Sequence, residues 1–160
     1  MICFHNTNEP NAYLSNWFMS EFVVDGIVFN CMEQYMMYAK ASLFEDKSIA
    51  ERIMFSSNPG EIKALGRRVS GFNSNVWDSR KEELVYRGLY AKFSQNLLLK
   101  SKLLQTGDDI LAECAVNDRI WGIGLSMHDI RRYEVSKWPG QNLLGELLMQ
   151  VRSDLKEAVV

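Results

Sequence analysis

Hydrophobic and polar positions alternate in short runs over the first thirty residues and then take up helical spacing for most of the chain. Residues 2–4, ICF, open a strand that the polar cluster NTNEPN breaks, and EFVVDGIVF (21–29) reads as a hairpin turning at Asp25-Gly26. A helix is expected from about Cys31 to Phe44 with Asn30 as its candidate N-cap, then a shorter one over Asp46 to Met54 capped by Asp46. SSNPGEIKALGRRV carries a strong start signal, with Asn58 as N-cap, Pro59 at N1 and Glu61 at N3, and Gly66 is placed to end that helix. Val85, Leu89 and Phe93 recur at helical spacing within 78–93, and a further helix spans roughly Gln95 to Gln105, stopped by Thr106-Gly107. ILAEC (110–114) is a strand candidate, 118–140 a structured loop region, and NLLGELLMQVRSDLKEA a closing helix. The pattern predicts a helix-dominated α+β protein, a single domain over 1–160, with a small, mostly N-terminal β-sheet. There is no strand–helix rhythm of the kind that builds a doubly wound parallel sheet.

Two charges interrupt this pattern. In NCMEQYMMYAKASLF (30–44), Glu33 and Lys40 stand seven positions apart and project within about 20° of each other on a helix. They share that face with Met36, Met37 and Phe44, while Tyr35, Tyr38 and Ser42 point the other way. Each has an ordinary explanation: Glu33 at N3 from Asn30 completes a capping box, and Lys40 snorkels over apolar neighbours. Both explanations are needed at once, on a helix that is also apolar on its far side. Two turns separate the pair by about 10 Å, beyond the reach of an i,i+4 ion pair. A ligand held by both side chains accounts for both.

Composition narrows the chemistry. At 160 residues, with 47% hydrophobic and 24% charged positions, the chain suits one globular domain. A net charge of −2 provides no global field toward nucleic acid or anionic membranes, so a nucleic-acid substrate would need a local basic patch. Cys3, Cys31 and Cys114 are odd in number and far apart, which points to reduced thiols and an intracellular, cytoplasmic setting. No Cys/His cluster suggests zinc, and two histidines, His5 and His128, argue against a histidine metal site or catalytic triad. No signal peptide or membrane-spanning apolar run is visible, and no metal, cofactor or membrane partner is expected.

Several smaller constellations are open to two readings. In NDRIWGIG (117–124), Asp118 beside Trp121 suits recognition of a base or sugar, with Gly122 and Gly124 allowing close backbone approach; equally, the segment is a tight turn with a core tryptophan. In WPGQNLLGELL (138–148), Asn142 caps the last helix, whose start could offer backbone N–H groups to a phosphate. Lys63 and Arg67 share a helix face at i,i+4 if the helix continues past Gly66, suiting phosphate or simply solvent. Lys92 and Asn96 in KFSQN sit at a helix junction and serve packing or ligand contact.

Taken in order, SNW (15–17), MEQYMMYAKA (32–41), SNPGEIKALGRRV (57–69), Trp77, KFSQN (92–96), LLQTGDDILAEC (103–114), ND-x-x-WGIG (117–124) and WPGQNLLGELLMQVR (138–152) resemble the NADAR, or YbiA-like, family over nearly the whole chain. That resemblance implies a metal-independent N-glycosidase. Its substrate would be a ribosylamino-pyrimidine phosphate of riboflavin synthesis, or guanine carrying ADP-ribose on its exocyclic amine, free or in nucleic acid. It also implies catalytic roles for Glu33, Lys40 and Asp118, and site-lining positions at Asn16, Trp121, Gly122 and Asn142. Trp17 stands where many members have Phe, which alters the rim of the pocket.

The chemistry is coherent with these residues. A sugar whose C1 bears an amine nitrogen can open to an imine, and a neutral lysine can attack it, expel the base and form a Schiff base that water hydrolyses. Burial among Met36, Met37 and Phe44 would lower the Lys40 pKa, while Glu33 or Asp118 moves the protons. Direct hydrolysis by a carboxylate-activated water is the competing route. A non-catalytic module that binds ADP-ribose or a sugar phosphate is the alternative function.

Overall fold

Positive backbone φ at Asp25 (51°) and Gly26 (79°) closes the expected hairpin with the twist that a two-residue turn requires. A computed structural model of the chain describes residues 1–158. It contains, among those residues, four strands and six α-helices: β1 (Ile2–Phe4), β2 (Met19–Val24), β3 (Ile27–Cys31), α1 (Met32–Leu43), α2 (Lys47–Phe55), α3 (Pro59–Gly66), α4 (Ser74–Gln95), α5 (Leu97–Gln105), β4 (Leu111–Glu113) and α6 (Leu143–Ala158). The fold is helix-dominated α+β. The strands form two separate two-stranded sheets instead of one: β2 pairs antiparallel with β3, and β1 pairs in parallel with β4, far along the chain. Parallel strands need a long crossover, and nothing local marks their partnership.

The residues group into two compact units, one formed by Met1–Phe18 with the chain from Asn96 onward, the other by Met19–Gln95. In the second unit, α1 runs directly out of β3 and packs against α2, α3 and α4. The face of α1 that carries Tyr35 and Tyr38 lies on the hairpin. The Tyr35 ring meets Phe29 edge-on at 5.2 Å, Tyr38 approaches Phe29 at 5.5 Å, and the Tyr35 hydroxyl donates to Leu84 O at 2.7 Å. Gly88 on α4 makes room for this ring, since a Cβ there would stand 2.4 Å from Tyr35 Cδ1 and 2.9 Å from Met32 Sδ.

Caps follow side-chain chemistry. Asp46 accepts from Ile49 N–H, and Asn58 Oδ1 accepts from Gly60 and Glu61 N–H, as the sequence predicts. The helix expected over 78–93 is longer, because Asn73 accepts from Val76 N–H and Trp77 is buried within its first turn. The next helix begins at Leu97 because Asn96 caps it, accepting from Leu99 N–H at 3.1 Å. At α1 the expected cap is wrong: Asn30 belongs to β3 and Cys31 is the N-cap, without a side-chain bond.

In the first unit, α6 is held to β4 by Asn142, which sits at φ 55° and is fully buried. Its side chain does not cap α6. Instead Nδ2 donates to Leu111 O at 2.9 Å and Oδ1 accepts from Glu113 N–H at 3.0 Å, continuing β4 as a neighbouring strand would. Arg152 on α6 donates to Thr106 Oγ1 and to Asp109 O, both at 2.8 Å, fastening that helix to the end of α5.

Two substitutions test this packing. Gly88→Ala, which would favour an isolated helix by up to about 1 kcal/mol, should instead destabilise the protein by about 1–3 kcal/mol through overpacking against Tyr35. Asn142→Ala should lose about 2–4 kcal/mol, because two buried backbone groups lose their partners and alanine is strained at positive φ. Urea unfolding followed by circular dichroism measures both.

Candidate active site

Because Cys31 is the N-cap of α1, Gln34 takes position N3, the place from which a side chain reaches back past the helix start. Its Oε1 accepts from Asn30 N–H at 2.8 Å, and its Nε2 donates to Ile53 O and Ser56 O, each at 3.2 Å. The capping role that the sequence suggests for Glu33 is therefore filled by its neighbour. Glu33 is nonetheless only 4% exposed, and its negative charge acts on Lys40 two turns away.

Lys40 is half-buried, and its Nζ donates to Gly66 O, at the end of α3, at 2.8 Å. Gly66 is the residue that lets α1 and α3 approach, since a Cβ at that position would collide with Met37. The Phe72 ring lies over the amine, 4.6 Å from Nζ to centroid, and Phe44 meets Phe72 edge-on at 5.3 Å. Burial pulls the Lys40 pKa below the ordinary lysine value, the Glu33 charge opposes this, and the Arg67 charge adds to the depression. Of Met36, Met37 and Phe44, expected to keep the amine dry, Met37 packs against Gly66 and Phe44 against Phe72. Neither Phe72 nor Gln34 stands out in the sequence: Phe72 follows a turn glycine without periodic company, and asparagine at 30 is a better capping residue than cysteine at 31.

Lys63 and Arg67 are both exposed, Lys63 on α3 and Arg67 as its C-cap, with Arg67 close enough for its charge to reach Lys40. Lys92, on α4, is fully buried, and burial pushes its ammonium down to about 7, against a smaller opposing effect of the Cys31 thiol. The second unit therefore holds two depressed amines, one half-open and one closed to solvent.

The remaining candidates belong to the first unit. Asn16 is 7% exposed, and its Oδ1 is buried without a hydrogen-bond partner, an acceptor waiting for a donor. Trp17 beside it is 40% exposed. Asp118 Oδ1 accepts from Ile120 N–H at 3.0 Å and Trp121 N–H at 2.8 Å, an Asx turn that sets the half-buried tryptophan. Gly122 admits close backbone, since a Cβ there would lie 3.0 Å from Asp118 O and Glu113 O.

The anion cradle expected at the start of α6 is already filled. The N–H groups of Gln141, Asn142, Leu143 and Leu144 donate to the carbonyls of Arg119, Gly122, Ile120 and Trp121. Asn96 serves as the α5 cap. Among the described residues, no group of three or more His, Cys, Asp or Glu side chains could hold a metal ion, and no helix is long and apolar enough to cross a membrane.

Comparison with known proteins supplies a context for this geometry. The NADAR domain model matches residues 3–156. The protein named N-glycosidase R617 of Acanthamoeba polyphaga mimivirus is 41% identical over 161 residues, covering 96% of this chain and 95% of its own. N-glycosidase YbiA of Escherichia coli is 32% identical over 155 residues, 97% of this chain and 88% of its own. The NMR structure of E. coli YbiA matches with a TM-score of 0.81 at 31% identity, over 99% of this chain and 86% of that one. The Vibrio vulnificus protein named riboflavin biosynthesis protein VVA0006 is 28% identical over 98% of this chain, which spans 39% of its length. With a family model across 3–156 and relatives above 30% identity over nearly the full length, the chain belongs to the NADAR domain family.

Proposed function

We propose that this chain is an N-glycosidase that breaks the bond between C1 of ribose or ADP-ribose and the exocyclic amine of a pyrimidine or guanine base. The names of R617 and YbiA support the reaction class. The observation that carries the residue assignment is Lys40: a half-buried amine with a depressed pKa, fixed by a backbone carbonyl and covered by an aromatic ring, on the same helix as a buried carboxylate.

In the proposed reaction the sugar ring opens, the ring oxygen taking a proton as C1 becomes an imine of the base amine. Neutral Lys40 attacks C1, and the base leaves as a free amine after gaining a proton. C1 is then a Schiff base of Lys40; water adds to it, the lysine departs, and the sugar is released as an aldehyde that recloses. Glu33 carries protons in ring opening and departure of the base. Asp118 is assigned the other acid–base role through its second oxygen, the first being held by the Asx turn. Lys63 and Arg67 are assigned to substrate phosphate, and the orphaned Asn16 Oδ1 accepts from a substrate N–H or O–H. Lys40 is preferred over Lys92 as the attacking amine because Lys92 has no solvent access.

The name of the Vibrio relative favours a ribosylamino-pyrimidine phosphate; ADP-ribosylated guanine is the second substrate, and a non-catalytic binding module the other reading. Offering both compounds separately and following free base by chromatography decides among them: release from either establishes the glycosidase, whereas binding by calorimetry without release establishes the module.

Glu33→Gln should lower kcat by about 10²–10⁴-fold, and Lys40→Ala should reduce release to background. Because the neutral amine reacts, kcat should rise with pH and reach its plateau below 10.5, the ordinary lysine value, as burial of Lys40 requires. A rate that falls as pH rises across that range would assign Lys40 a cationic, electrostatic role instead.

A further inference from the structure

Two of the three cysteines, separated by most of the chain, lie together in the first unit. Cys3 stands opposite Ala112 in the parallel pairing of β1 with β4, and Cys114 N–H donates to Phe4 O at 2.9 Å. Side chains alternate along a strand, so Cys114, two residues beyond Ala112, projects from the same face as Cys3. Cys114 is buried in an apolar cluster with Ala112, Ile123 and Leu125, and half-buried Cys3 packs against that cluster with Trp138. The Cys114 S–H has two acceptors in reach, Ala112 O at 3.8 Å and the Cys3 sulfur, and a Cys3 thiolate is the stronger.

A positive charge stands beside them. Arg132 Nη1 donates to Asp129 O at 3.0 Å and Nη2 to Tyr133 Oη at 2.6 Å, while its Nε is buried without a hydrogen-bond partner. The hydrogen bond from Cys114, with the Arg132 charge, brings the Cys3 thiol down to about 7 although burial opposes it. The same thiol–thiol bond and burial push Cys114 up. One thiol is thus poised as the nucleophile and the other kept protonated. Cys31, in the other unit, is buried and raised by that burial. A low-pKa thiol with some exposure and an adjacent second thiol is the arrangement of a redox-reactive pair.

We propose that Cys3 and Cys114 form a peroxide-reactive dithiol that closes to an intramolecular disulfide, with Cys3 attacking, Cys114 resolving and the Arg132 guanidinium beside the reacting sulfur. The oxidant is a hydroperoxide. The Cys3 thiolate attacks its terminal oxygen, an S–O bond forms as the O–O bond breaks, and the alcohol (water, for hydrogen peroxide) leaves with a proton. Cys114 then attacks the Cys3 sulfur. The S–S bond forms as the S–O bond breaks, and the Cys114 proton leaves with the hydroxyl as water. The two sulfurs give up two electrons in all, and the hydroperoxide accepts them. The orphaned Arg132 Nε–H gains an acceptor in the thiolate or in the peroxide oxygen. The product links β1 to the end of β4, where the 117–124 segment begins.

The test is stoichiometric hydrogen peroxide on the native full chain, followed by alkylation and peptide mass spectrometry. The expected result is a chain lighter by two hydrogens, a single Cys3–Cys114 link, and Cys31 recovered alkylated. Cys114→Ala should stop at a Cys3 sulfenic acid that a 1,3-dione captures, and Arg132→Gln should slow Cys3 oxidation roughly fivefold near pH 7. Cys31→Ser, the control, should form the link as fast as the natural chain. Oxidation of Cys31 ahead of Cys3, or a link that forms only in urea-unfolded chain, would overturn the proposal.

Discussion

The Gln34 amide sets the phase of α1, and much of the second unit's chemistry depends on that phase. Its oxygen accepts from the N–H of Asn30, just before the N-cap, and its nitrogen donates to carbonyls at the end of α2. A buried amide satisfied on both sides is costly to disturb, because each of its partners would be left without a hydrogen bond. With the helix start pinned this way, residue 33 is turned into the interior and residue 40 is brought to the end of α3.

Close helix packing provides the second requirement, an amine that is dry but not sealed. Gly66 lets α1 and α3 approach until the Gly66 carbonyl meets Lys40 Nζ, and Phe72 closes over it with Phe44 behind. These contacts pull in opposite directions. A carbonyl and an aromatic face favour the ammonium, while desolvation favours the neutral amine. The balance leaves Lys40 with a depressed pKa and with access to solvent, whereas Lys92 gains a stronger depression at the cost of all exposure.

The legible parts of the fold are those written in local chemistry. The Asp25-Gly26 turn, the Asp46 and Asn58 caps and the odd burial of Glu33 and Lys40 can all be read within a few residues of where they act. What was hidden is non-local. The β1–β4 pairing joins residues about a hundred positions apart, Asn142 bonds strand backbone thirty residues upstream, and Phe72 reaches Lys40 only through the packing of a turn. The α1 cap departs from expectation for a local reason: Asn30 has the better capping side chain, yet it lies within β3 with its N–H taken by Gln34 Oε1, and the helix starts from Cys31. The family resemblance nominated residues from both units at once, which no periodicity in the chain could do.

In the proposed reaction Lys40 becomes covalently bound to C1 of the sugar. Cyanoborohydride reduction during turnover, with peptide mapping of the product, tests it most directly. One reduced sugar adduct is expected on the peptide carrying Lys40, absent in Lys40→Ala. An adduct on Lys92, or continued turnover with no adduct on any lysine, would contradict it.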